Sequence, residues 1–127
     1  MEYYNEMRIE MMNNKMANQA FAIIRDTIKI TKITEDCKGQ FEKFASSLTV
    51  KKNAVIIDGI VSVDIGSFEA LITEICNVLT TYFEDSRFEG FAAYLATYET
   101  RVINFTYKNR NFSCTTENID LLDCEEE

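Results

Sequence analysis

This sequence has no proline, no histidine, only four glycines, and far fewer cations than anions. Without proline, no residue forces a break in a helix, which suits helices joined by short turns. Without histidine, the commonest general base and metal ligand is missing and no Ser-His-Asp triad can be built. Thirteen lysines and arginines face twenty-one carboxylates, for a formal charge of −8. That balance disfavours nucleic acid or an anionic membrane as partner, because phosphate recognition needs clustered positive charge. Basic, amphipathic partners are the better electrostatic match. The four cysteines, Cys37, Cys76, Cys114 and Cys124, contain no C-x-x-C pair. A zinc site is therefore not expected, and their uneven spacing fits reduced thiols in an intracellular protein. The opening "MEYYNEMRIEMM" is charged throughout, unlike a secretory signal. No charge-free run approaches the ~20 residues that a membrane-spanning helix needs.

What is present is a chain of 127 residues, 46% apolar, enough for one self-sufficient domain over 1–127. Its acidic end, about 120–127, is expected to fray. Apolar spacing predicts a helix from Tyr4 to Ile28, carried by Tyr4, Met7, Met11, Met16, Ala20, Ile23 and Ile24. "QFEKFASSL" places Phe41, Phe44 and Leu48 on one helical face. The clearest signal is "GSFEALITEICNVLTTYFED", where Phe68, Leu71, Ile72, Ile75, Val78, Leu79, Tyr82 and Phe83 follow the i, i+3, i+4, i+7 rule, with Asp64 as N-cap. "SRFE" reads as a capping box for a further helix, with Phe88, Phe91, Ala92, Leu95, Tyr98, Val102 and Phe105 on one stripe. A last short helix is expected over 116–123. "AVIIDGIVSV" is read two ways. Its β-branched residues around Asp58-Gly59 suit a hairpin, while the lack of other strands favours a helix burying Val55, Ile56, Ile60 and Val63.

No constellation for catalysis stands out. Glu69, Glu74 and Glu84 read as the solvated edge of an amphipathic helix, and Cys76 reads as a small core residue. The chain is expected not to be an enzyme, and no cofactor is implied. Gly66 and Ala70, four apart, form a small-residue strip that serves either internal helix packing or the docking of a partner helix.

"VDIGSFEAL" resembles the first homology motif of the Bcl-2 family of apoptosis regulators, with Gly66 on the motif's glycine, Asp64 on its asparagine, Ile65 on its tryptophan and Ala70 on an alanine. "FAAYLATYE" is similar to the family's sixth helix and "FEKFASSLTV" to its third, in the family's order. The resemblance implies an all-α fold, a Bcl-2-like bundle of about seven helices around a central hydrophobic helix. It makes "AVIIDGIV" the fourth helix. It further implies a viral survival factor, active in the host cytoplasm or at mitochondria. Such a factor holds the BH3 helix of Bim-, Bak- or Bax-like death proteins in a groove. The groove would be lined by Phe41, Phe44, Leu48, Val55 and Ala70, with Ile65 and Gly66 at the helix start. For Phe41 and Leu48, plain core packing is an equal alternative. Asp58 or Asp64 would meet basic ligand residues. The motif's arginine is Ser67 here, so the expected ligand range is narrow unless Lys51, Lys52 or Arg87 substitutes. The alternative is a protein of the same fold that blocks innate-immune signalling without binding BH3 helices. The Met- and Tyr-rich first segment offers a surface for a homodimer.

Overall fold

From Asn5 onward, burial recurs at every second residue. Asn5, Met7, Ile9 and Met11 are sealed from solvent, whereas Tyr4, Glu6, Arg8 and Glu10 between them are partly or fully open. Period two is the signature of a strand with one covered face. In this computed structural model the described residues are 3–30, 43, 45–61, 64–96 and 99–120. They form, in chain order, β1 (Tyr3–Glu10), α1 (Asn14–Ile30), β2 (Thr49–Lys51), β3 (Ala54–Val61), α2 (Ile65–Tyr82), β4 (Phe88–Leu95), β5 (Glu99–Lys108) and β6 (Asn111–Asp120). The strands make one antiparallel sheet, ordered β2-β3-β1-β4-β5-β6.

The register aligns the covered positions into rows. Met7 lies between Ile57 and Ala92, and Ala92 in turn faces Ile103. Ile9 lies between Val55 and Gly90, and Gly90 faces Phe105. Over these rows lie the two helices, which pack on one another and on the same face of the sheet. α1 contributes Ala17, Ala20, Ile24 and Ile28; α2 contributes Phe68, Leu71, Ile72, Ile75 and Leu79. Burying each large side chain of this set contributes ~1.5–3 kcal/mol before entropy is counted.

Both helices start on a side-chain cap. Asn13 Oδ1 accepts from Met16 N at 2.9 Å. Asp64, in extended backbone, accepts from Ser67 N at 3.0 Å and from Ser67 Oγ at 2.7 Å. Those bonds, the hydroxyl's first, hold the Asp64 carboxyl below its usual 3.8. A depressed folded-state value means the carboxylate stabilises above the unfolded value and loses that contribution as pH falls through the folded one. Asp64→Ala is expected to cost about 1 kcal/mol at neutral pH. In urea titrations the gap between variant and parent should close once the pH is taken below 3.8.

The all-α bundle expected from the sequence does not form; the described residues build a six-stranded antiparallel sheet carrying α1 and α2, not a helical bundle of seven. The expected helix over Tyr4–Ile28 is a strand followed by a shorter helix. Residues 54–61 are neither helix nor hairpin but one strand, with Asp58-Gly59 inside it opposite Glu6 and Asn5. The capping box at Ser86 opens no helix; its stripe is split between β4 and β5, with Tyr98 outside the described residues. The expected short helix over 116–123 falls partly on β6. The central helix and its Asp64 cap are where the periodicity put them.

A free sheet edge as the candidate interaction site

The residues expected to line a groove are scattered. Leu48 and Val55 are buried in the core, and Ser67 is buried against its cap. Ile65 is half-buried and packs on the core. Gly66 and Ala70 are exposed on α2, and a Cβ at Gly66 would meet only its neighbour Asp64 Oδ2, at 3.2 Å. Asp58 is exposed and sits opposite Glu6 on the sheet face away from the helices. Phe41 and Phe44 lie outside the described residues. Among the described ones, Leu48 and Val55 share the core, and Asp64, Gly66 and Ser67 come together as a helix cap.

Chemistry-bearing groups are sparse elsewhere. A cavity of about 350 Å³ opens at one end of the sheet, lined in part by Glu10, Asn53, Arg87, Glu89 and Lys108. Glu10 and Glu89 are cross-strand neighbours there, and Glu10 is engaged by Arg8 at 3.3 Å. Glu89 is exposed, and the Glu10 side chain is 42% exposed. A second cavity, about 100 Å³, lies between α2 and the β5–β6 hairpin and is lined by Cys76 and Cys114. Burial, with the nearby Cys114, pushes the Cys76 thiol up to about 12, so it stays protonated and unreactive near neutrality. Among the described residues no group of three or more Cys, Asp or Glu is placed to hold a metal, and no helix is long and apolar enough to cross a membrane.

The sheet's two edges are unequal. β2 is three residues long, whereas β6 is ten, and all of Asn111–Asn118 is exposed. β6 pairs with β5 in unbroken register from Glu99↔Asp120 to Lys108↔Asn111. Asn109 and Arg110 both take positive φ, 52° and 63°, so the hairpin closes through a type I′ turn. In that turn Lys108 and Asn111 form a hydrogen-bonded pair, and the pattern repeats every second residue. Asn111, Ser113, Thr115 and Glu117 therefore turn their backbone groups to β5. Phe112, Cys114, Thr116 and Asn118 turn theirs outward, and among the described residues no strand lies beyond them.

β6 is firmly held from behind. Arg101 on β5 forms an ion pair with Glu69 of α2 and donates to Asn118 Oδ1 at 2.5 Å. Phe112 stacks on Phe105 with centroids 6.4 Å apart, and remains 44% exposed. At the turn, Arg110 is bound to Asp85 at 2.6 Å. The sheet face away from the helices also carries apolar groups, Tyr4, Phe91 and Leu95 among them. Tyr4 and Leu95 are cross-strand neighbours, and the charged Glu6 and Asp58 stand between them and the row in which Arg8 faces Phe91.

Comparisons with models of known families, with curated proteins and with solved structures find no match for this chain. None of the three therefore identifies the Bcl-2 family, and no relative supplies a role for the β6 edge. Sequence reasoning missed that edge because it read residues 116–123 as helix. The visible signal was the alternation in "RVINFTYKNRNFSCTT", where Arg101, Ile103, Phe105 and Tyr107 mark a covered strand face.

Proposed function

We propose that this chain is a non-catalytic interaction module that recruits another polypeptide by strand addition along β6. The observation carrying this reading is a ten-residue edge strand, exposed throughout Asn111–Asn118, without proline, lysine or bulge. Natural sheets guard such edges, because an open row of N–H and C=O groups is a template for another strand. Strand addition takes its affinity from that row and its selectivity from alternate side chains. Here the selecting groups are Phe112, Cys114 and Thr116 on the helix-covered face and Ser113, Thr115 and Glu117 on the other. The net charge favours an added strand with basic flanks. The expected survival factor drew its weight from a helical groove, and its signalling alternative from the same helical bundle. With strands over 54–61, 88–95 and 99–108 that support is gone, and neither is carried forward.

The test is an NMR titration with ten-residue extended peptides of alternating threonine and valine flanked by lysines. Shift changes are expected at the amides of Phe112, Cys114, Thr116 and Asn118. Thr116→Pro should abolish them, because it removes an outward N–H while sparing the β5 ladder. An unchanged circular-dichroism spectrum would show that this variant still folds. Shifts centred elsewhere, or none at all, would remove the reading.

A further inference from the structure

Resting on that reading, we infer that the strand added to β6 is β6 of a second copy of this chain, paired antiparallel about a two-fold axis at Thr115. The argument starts from charge. Two copies at −8 repel, so they can approach only where charge is absent or complementary. β6 offers both. Asn111–Thr116 is uncharged, the turn end carries Lys108 and Arg110, and the far end carries Glu117. Antiparallel self-pairing sets the basic end of one copy beside the acidic end of the other. Parallel pairing would stack like on like.

Geometry then selects the register. A two-fold axis perpendicular to the sheet keeps both pairs of helices on one face. Opposite residues must share a face, so only residues of equal parity pair. Among these registers, those centred on Thr115 and on Thr116 overlap the most strand, nine residues each. The one on Thr115 is selected because it alone sets position 110, the turn's arginine, opposite the acidic position 120. It puts Cys114 opposite Thr116, Phe112 opposite Asn118, and Ser113 opposite Glu117. All the outward backbone groups then find partners, since Phe112, Cys114, Thr116 and Asn118 pair only with one another. No like charges meet, and Thr115 meets itself, a favourable cross-strand pair. The result is one continuous sheet spanning both copies. The two exposed β6 faces, each with its Phe112, form the floor of a trough between the two α2 helices.

The register can be read by disulfide formation in the full chain with Cys37, Cys114 and Cys124 changed to serine. Position 115 falls in a non-hydrogen-bonded pair, where Cα atoms sit ~4.5 Å apart, within reach of a disulfide. Thr115→Cys is expected to give a disulfide-linked dimer on mild oxidation, whereas Ser113→Cys, which faces Glu117, is expected to stay unlinked. Sedimentation velocity of the unaltered chain should give a dimer, and Thr116→Pro should weaken it at least about tenfold by deleting a symmetric pair of hydrogen bonds. Linkage through position 113 instead of 115 would overturn the register. A chain that stays monomeric and unlinked would overturn the second copy as occupant. If such a monomer still shows peptide-induced shifts at the outward amides, strand addition survives and only the self-pairing falls. If those shifts are also missing, both fall.

Discussion

Gly90→Ala is expected to lower the unfolding free energy by about 3 kcal/mol or more, an unusually large effect for one added methyl. A Cβ at Gly90 would sit 2.0 Å from the carbonyl oxygen of Arg8 and 3.0 Å from both Arg8 C and Ile9 Cα. All three are backbone atoms of β1, so no rotamer change relieves the clash. The β1–β4 ladder itself must part, at the row where Ile9 faces Gly90. Gly59→Ala is the matched control, since it too lies within a strand. Its nearest neighbour would be Ser47 Oγ at 3.9 Å, ordinary contact. Both substitutions change the entropy of the unfolded chain alike, so their difference isolates the close approach. Urea denaturation of the two variants measures it. Equal midpoints would mean that β1 and β4 do not approach as closely as drawn.

Phe68→Ala is expected to cost about 3–5 kcal/mol, the range for truncating a fully buried aromatic residue. Phe68 is 1% exposed and heads the largest fully buried side chains. Its ring lies 5.7 Å from that of Tyr94, tilted by 46°, which fixes the start of α2 to the middle of the sheet. Removing it opens a cavity where helix and sheet meet, beside the Tyr94 ring. Phe68→Leu should recover much of the loss by refilling that volume. On the same helix, Tyr82 is 68% exposed, and Tyr82→Ala should stay within about 0.5 kcal/mol of the parent. Thermal or chemical unfolding of the three variants would rank them. A mild Phe68→Ala beside a severe Tyr82→Ala would reverse the face of α2 assigned to the core.

The helices were legible from sequence where one periodicity had no rival. Over α2 the apolar residues recur at three and four, and Asp64 supplies a cap that only a helix start needs. β1 was not legible, because Tyr4, Met7 and Met11 fit a helical stripe while Asn5, Met7, Ile9 and Met11 fit a strand. The polar Asn5 at a sealed position hid the second pattern. β4 failed for a related reason, since "FEGFAAYL" is apolar at both periods. The hairpin between β5 and β6 turns on Asn109-Arg110, with no glycine to announce it. In β3 the reverse occurred: Asp58-Gly59 looks like a turn, yet pairing with β1 holds it straight. Each miss traces to tertiary pairing overriding a local preference. The family resemblance inherited these errors, because it needed helices over 54–61 and 91–95, where β3 and β4 form.

β1 stands between the two halves of the sheet, with Tyr4 facing Ile60 on one side and Leu95 on the other. The β5–β6 hairpin and both helices can form from neighbours in the chain, but neither ladder of β1 can. Joining the halves therefore requires closing two long loops before any pairing repays the lost entropy. Such non-local topology places refolding toward the slower end for a chain of this size, on the order of milliseconds to seconds. In the interval β6 is already an open edge. The rate at which β1 is captured thus sets how long an incompletely built sheet is exposed to its neighbours.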